Sequence, residues 1–184
     1  MDNGASSYRR FLSGKKEGLS EIVRCFNDCL IMYINSIVHD YSAAEELAAD
    51  VFAELIANKP RYAGKSSFKT WLFAIARHTA IDYQKKRSRL FREPTEAMYD
   101  LSDGSDLEKQ YLSEERKIQL HHALENLNPD YSQVIYLSYF EGFSNAETAA
   151  IMKKSKRQIE KLLYNAKQSL KKILEKEGFE YEEL

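Results

Sequence analysis

Ile22, Val23, Phe26, Leu30, Tyr33, Ile34 and Ile37 recur at steps of three and four, so Ser20 to Asp40 reads as one helix with a single core-facing stripe. Ser42 and Glu45 form a capping box ahead of a second helix, which Lys59-Pro60 ends near Asn58. Leu47, Val51, Phe52, Leu55 and Ile56 make its inner side, while Glu45, Glu46, Asp50 and Glu54 line its outer side as a row of acids. A short loop from Pro60 to Lys65 leads into a third helix, opening at Ser66 or Ser67 and ending near Arg89. Phe68, Leu72, Ile75, Ala76 and Thr79 are its core stripe, and Lys69, Arg77, Ile81, Gln84 and Lys85 face elsewhere. Trp71, Phe73 and Tyr83 set large rings beside those charges.

Periodicity then stops. From Glu93 to about Ser113 the chain is rich in Glu, Asp, Ser, Gly and Pro, a composition with little to bury, and reads as a linker. Helical punctuation resumes densely beyond it. Ser113 opens a helix to Leu127 with Ile118, Leu120, Leu124 and Leu127 apolar, and Asn128-Pro129 restarts the chain with Pro at the first helical position. Gly142 stops that helix. Ser144 with Glu147, then Ser155 with Gln158, make two capping boxes eleven residues apart. They delimit a short helix, a tight turn at Lys153-Lys154 and a long helix to Glu177. The expected architecture is therefore all-α, with two small helical domains, 1–92 and 114–184, joined by an acidic flexible linker at 93–113. Seven Gly and three Pro among 184 residues agree with long helices.

Charge is segregated along this plan although the formal total is only -1. Arg61 to Arg92 carries nine Lys or Arg against Asp82, Glu93 to Glu115 carries eight acids against Lys109, and Lys153 to Lys172 carries eight bases against Glu160. Two basic blocks flanking an acidic one indicate two contacts with a polyanion, nucleic acid first among them.

Other chemistry finds little support. Cys25 and Cys29 lie a helical turn apart, where a disulfide is geometrically poor and two thiols do not complete a zinc site, so they read as buried free thiols. His39, His78, His121 and His122 have no ligand or triad spacing, and no Gly-rich phosphate loop occurs. No metal, cofactor or enzymatic turnover is expected. Met1 to Arg10 contains no apolar run and no stretch of about 18 apolar residues occurs, so neither export nor membrane insertion is expected, and the location reads as cytoplasmic.

A short helix, a turn and a longer basic helix make a helix-turn-helix, whose second helix enters the major groove by its N-terminal end. Ala146, Ala149 and Ala150 are small where the helices would cross, and Ile151, Ile159, Leu162 or Leu163 and Ala166 can seal the core. Ser155, Lys156, Arg157, Gln158, Glu160, Lys161 and Asn165 then remain for DNA: Lys and Arg suit phosphate or guanine, Gln adenine and Glu a cytosine amine. The alternative is an ordinary helical hairpin with a solvated basic face. In the first domain, rings interleaved with bases suit single-stranded nucleic acid, although residues such as Trp71 and Phe68 are more often plain core residues.

The segment from Ser66 through Trp71 to Arg87 resembles region 2 of bacterial sigma factors of the sigma-70 family, and Ala44 to Phe52 resembles the helix by which that region grips RNA polymerase. Leu124 to Ser155, containing Tyr139-Phe-Glu-Gly-Phe-Ser-Asn-Ala-Glu-Thr-Ala, is similar to sigma region 4. Both stretches come in the family's order and together point to the small extracytoplasmic-function group. The resemblance implies a protein that binds core RNA polymerase through Glu45, Glu46, Asp50 and Glu54. It implies that the loop and helix bearing Arg61, Tyr62, Lys65, Ser66, Ser67, Lys69, Arg77, Gln84 and Lys85 take the non-template strand of the minus-10 element. In this family a base leaves the stack into a pocket formed partly by that loop, whose lining here would include Tyr62, Lys65, Ser66 and Ser67. The linker would occupy polymerase's active-site and RNA-exit channels, and the second domain would read minus-35 duplex and sit on the polymerase flap. Members are often held by an anti-sigma partner, which no residue here identifies.

Two departures stand out. The family's turn usually holds Gly and an apolar residue where this chain has Lys153 and Lys154; a left-handed Lys costs about 1 kcal/mol more than Gly, so a differently shaped turn is expected. Leu162 and Asn165 replace usual basic positions, so base preference does not transfer and phosphate contacts shift toward Lys161, Lys167 and Lys171-Lys172. A helix-turn-helix regulator with an N-terminal sensing or dimerisation domain is the competing reading. Such a regulator needs no second basic face.

Overall fold

The computed structural model describes residues 4–90, 120, 122–124 and 126–176, which are helical apart from turns and loops. The linker 93–113 and the opening of the helix expected from Ser113 lie outside the described residues. The first half comprises α1 (Ala5–Leu12), α2 (Glu17–Val38), α3 (Tyr41–Asn58) and α4 (Phe68–Leu90). The second comprises α5 (Pro129–Ile135), a π-helical turn (Tyr136–Phe140), α6 (Asn145–Met152) and α7 (Lys156–Lys176).

In the first half α1, α3 and α4 pack around α2, whose stripe Ile22, Phe26, Leu30, Tyr33, Ile34 and Ile37 is buried as its periodicity requires. Helix α2 ends where His39 turns left-handed at φ 52°. That turn leaves one residue before α3, so Asp40 is the N-cap, accepting from the Ala43 N–H at 3.1 Å, and the expected Ser42–Glu45 box does not form. Asp40 Oδ2 also meets Arg87 Nη1 at 3.4 Å, tying the start of α3 to the end of α4.

Other helix faces are rotated from expectation because their neighbours differ. Ile56 is 51% exposed rather than inward. Phe73, expected beside charges, is fully buried, as is Ala80, whereas Ile75 and Thr79 are only half-buried. Cys25 is exposed and Cys29 half-buried, so the expectation of two buried thiols fails for Cys25. Helix α1, for which no expectation was formed, brings Tyr8 and Phe11 into the core.

The second half follows its punctuation closely. Asn128 caps α5 by accepting from the Asp130 N–H at 3.0 Å, with Pro129 at the first helical position. The π turn carries a bond from Glu141 N–H to Tyr136 O at 3.1 Å, and Gly142 at φ 68° then reverses the chain. Helix α6 has the reciprocal Ser144–Glu147 box, and the α7 start has Ser155 N–H to Gln158 Oε1 at 2.7 Å with Gln158 N–H to Ser155 Oγ at 3.2 Å. Ala146 and Ala150 are exposed, contrary to expectation, whereas Ala149, Ile151, Ile159 and Ala166 are buried as expected and Met152 joins them.

The two halves share one hydrophobic core, with α6 against α4 and α5 against α2. Tyr33 of α2 stacks on Tyr136 at 5.8 Å between ring centres, and Phe73 of α4 meets Phe143 edge-on at 5.0 Å. Burying rings of this size stabilises by about 1.5–3 kcal/mol each. Phe73 also meets Tyr33 of α2 at 5.1 Å, so its ring is held between the two halves.

Candidate nucleic-acid interface

The helix-turn-helix is built locally. Lys153 adopts φ 53° and closes the turn, as a left-handed residue must there, while Lys154 pairs with Asp130 at 3.0 Å and donates its N–H to Ala149 O. Helix α7 thus leaves the turn with Lys156, Arg157, Glu160 and Lys161 exposed. Ser155 and Gln158 are exposed too, but each is engaged in the capping box, the Gln158 side-chain oxygen accepting from the Ser155 N–H. Asn165 is half-buried. Tyr164, 64% exposed, was overlooked by sequence reasoning. It lies three residues beyond Lys161 and seven beyond Arg157, a helical spacing that would have placed it on the same face.

On α3, Glu45, Glu46, Asp50 and Glu54 are all exposed and form a continuous acidic surface. Tyr41, 48% exposed, lies one turn before Glu45, and Ile56 is exposed near the end of the helix.

The strand-binding candidates divide into two sets. Arg61 and Lys65 are exposed on the loop, Lys85 is exposed on α4 at 3.2 Å from Asp82, and Tyr62, Ser66 and Ser67 are half-buried. The Tyr62 hydroxyl donates to Ser66 O within the loop, and its ring packs on Phe68 and Trp71 at 5.6 and 5.4 Å. Ser67 Oγ accepts from the Thr70 N–H at 3.0 Å and so caps α4. The Gln84 amide donates to Ile37 O, a structural bond to α2.

Lys69 and Arg77 instead face the second half. Lys69 Nζ lies 2.8 Å from Glu141 Oε2 and 3.0 Å from Glu141 O, and over the rings of Phe143 and Phe73 at 4.8 and 5.5 Å. Arg77 Nε donates to Gln133 Oε1 at 2.9 Å, and Thr70 Oγ1 to Glu147 Oε1 at 3.2 Å. Partial burial alone would raise Glu147, but hydrogen bonds from the Ser144 hydroxyl and N–H and from Thr70, with the Lys69 charge, hold its carboxyl below the ordinary value. Burial, reinforced by the charge of Glu141, pushes the Cys29 thiol up to about 12.

Among the described residues no cluster of three or more His, Cys, Asp or Glu is placed to hold a metal, and no helix is long and apolar enough to cross a membrane.

Comparison with known proteins agrees with this layout. Residues 22–90 match the family described as Sigma-70 region 2, and residues 117–170 match Sigma-70, region 4. The chain is 27% identical over 156 residues to the ECF RNA polymerase sigma factor SigX of Bacillus subtilis, covering 82% of this chain and 80% of that protein. It is 27% identical over 163 residues to the RNA polymerase sigma factor YlaC of the same organism, covering 88% and 94%. The sigma factor RpoE of Bartonella quintana, solved in complex with the anti-sigma factor NepR, shares the fold at TM-score 0.66 and 23% identity, with 85% of this chain and 96% of that one covered.

Proposed function

The chain belongs to the sigma-70 family of RNA polymerase sigma factors, in its extracytoplasmic-function group, and within that membership we propose how its surfaces divide the work. As a sigma factor it binds core RNA polymerase and directs promoter-specific initiation. The observation that carries the division is the separation of three exposed surfaces: the acidic row on α3, the basic loop before α4 and the basic face of α7.

Glu45, Glu46, Asp50 and Glu54 dock on core polymerase. Lys156, Arg157, Glu160 and Lys161, with Gln158, Asn165 and Tyr164, take the minus-35 duplex, the cations on phosphate or guanine and the amide on a base edge. Tyr62, Lys65, Ser66 and Ser67 receive a base extruded from the non-template minus-10 strand. Capture of that base offsets the few kcal/mol of unstacking, so melting needs no separate fuel. Arg61 and Lys85 follow the strand's phosphates.

Lys69, Arg77 and Gln84 belong to the same strand path, but Lys69 and Arg77 are committed to Glu141 and Gln133 while the halves are docked. Their use on DNA requires the halves to part. The domain boundaries 1–92 and 114–184 are the units that would separate, with 93–113 as the tether entering polymerase's channels. RpoE of Bartonella quintana is held by an anti-sigma factor, and a protein of that class is the regulator we infer for this chain.

Charge reversal tests the polymerase surface. Asp50→Arg with Glu54→Arg should abolish core binding while the circular dichroism spectrum of the free protein stays helical, since both side chains are exposed. Retained core affinity would return the row to a solvated face.

A further inference from the structure

Helix α1 lies outside residues 22–90 that match region 2, yet its seating is highly specific. A Cβ on Gly18 would stand 2.2 Å from Ser7 O, so α1 and α2 touch through backbone. A Cβ on Gly4, which has φ 92°, would stand 2.6 Å from Phe68 Cδ1. Gly18 lets α1 lie against the backbone of α2, Gly4 lets the start of α1 meet Phe68 at the beginning of α4, and Tyr8 is the α1 side chain that packs there. The Tyr8 ring is fully buried, 5.3 Å from Phe68 and 5.4 Å from Trp71 between centres.

Packing alone would be served by phenylalanine. The hydroxyl adds one bond, donated to Pro60 O at 2.6 Å across 52 residues of sequence. Pro60 is where the chain leaves α3 for the 60–67 loop. That loop is held at three points: Tyr8 on Pro60, Tyr62 on Ser66, and Ser67 on the first turn of α4. Ala63, Gly64 and Lys65 between them are exposed. A loop that must recognise a displaced base does so with less loss on binding when its ends are already fixed.

We propose that Tyr8 is a positioning residue for strand capture: through the Pro60 carbonyl it sets the conformation of the loop that receives the minus-10 base. This rests on the strand-capture reading of that loop. The test is Tyr8→Phe in the full chain, reconstituted with core polymerase on a promoter carrying each of the four bases in turn across the minus-10 non-template strand. Open complexes are counted by permanganate reactivity, alongside core affinity and thermal midpoint.

The hydroxyl's loss should reduce discrimination between the best and worst base by about fivefold, equivalent to one hydrogen bond of about 1 kcal/mol, with core affinity unchanged. Ser7→Ala, which removes the bond from α1 to Glu21 of α2 and leaves the Tyr8 hydroxyl in place, should lower the thermal midpoint and leave discrimination intact. Unchanged discrimination in Tyr8→Phe, or an equal fall in Ser7→Ala, overturns the proposal. Tyr62→Ala and Lys65→Ala distinguish the underlying failure: if neither alters discrimination, the strand-capture reading of the loop falls, and the role of Tyr8 with it.

Discussion

Glu141→Ala should loosen the docking of the two halves by roughly tenfold. The carboxylate is only 9% exposed and sits 2.8 Å from Lys69 Nζ, itself 28% exposed. Hydrogen bonds to charged groups contribute about 1.5–3 kcal/mol. The lower end applies, because Lys69 keeps the Glu141 backbone carbonyl and its place over Phe143, and reaches water in part. About 1.5 kcal/mol is a little over a tenfold change in the ratio of docked to parted molecules. Single-molecule energy transfer can count that ratio, with dyes on the exposed Cys25 and on a cysteine replacing the exposed Gln168, in a Cys29→Ser background. Glu175→Ala is the control: it breaks the exposed Lys171–Glu175 pair within α7, at 3.6 Å, which is worth at most about 0.5 kcal/mol. A docked fraction unmoved by Glu141→Ala, or moved as much by Glu175→Ala, would refute the part given to the Lys69–Glu141 pair in holding the halves together.

Three further outcomes are expected. Lys156→Ala and Arg157→Ala should each weaken minus-35 duplex binding and lower the slope of log affinity against log salt by about one wherever a phosphate contact is lost; an unchanged slope for every basic substitution in α7 would remove that helix from the groove. Iodoacetamide at pH 8 should alkylate exposed Cys25 well before Cys29, because a thiol pushed up to about 12 has about one part in ten thousand as thiolate there, and equal rates by mass spectrometry would contradict this. Glu147 has a folded-state pKa below its ordinary 4.5, so its stabilising contribution is present above that pH and is lost as pH falls through the lowered value. Glu147→Gln should therefore flatten the fall in urea midpoint below pH 4.5, and parallel acid profiles would count against the capping role.

Much of the chain was legible because its signals are local. The Ser144–Glu147 and Ser155–Gln158 boxes and Asn128-Pro129 depend on residues within one turn, and all three form as read, whereas Lys153 takes up the left-handed conformation itself where a differently shaped turn was expected. Ser42 failed against a rule of the same kind, since Asp40 is an equally good cap and the His39 turn puts it first. The misplaced faces share a different cause. Phe73 lies off the expected stripe of α4 yet is covered by Tyr33 of α2 and Phe143 of the second half, and Ile56 lies on the expected stripe of α3 although it is left exposed. Helical spacing says which residues share a stripe, but which stripe is covered depends on partners distant in sequence. The same limit hid the commitment of Lys69 and Arg77 to Glu141 and Gln133, and the reach of Tyr8 to Pro60. The acidic row and the α7 basic face needed no partner to be seen, because they remain exposed.

The most direct test is transcription reconstituted from this chain, core polymerase and a library of promoters randomised at the minus-35 and minus-10 elements. Start sites should appear only with the chain present and should select sequence at both elements, with Lys156→Ala or Arg157→Ala relaxing selection at minus-35 alone and Tyr62→Ala or Lys65→Ala at minus-10 alone. Transcripts that do not depend on the chain, or selection at a single element insensitive to either set, would contradict the division of labour between the two halves.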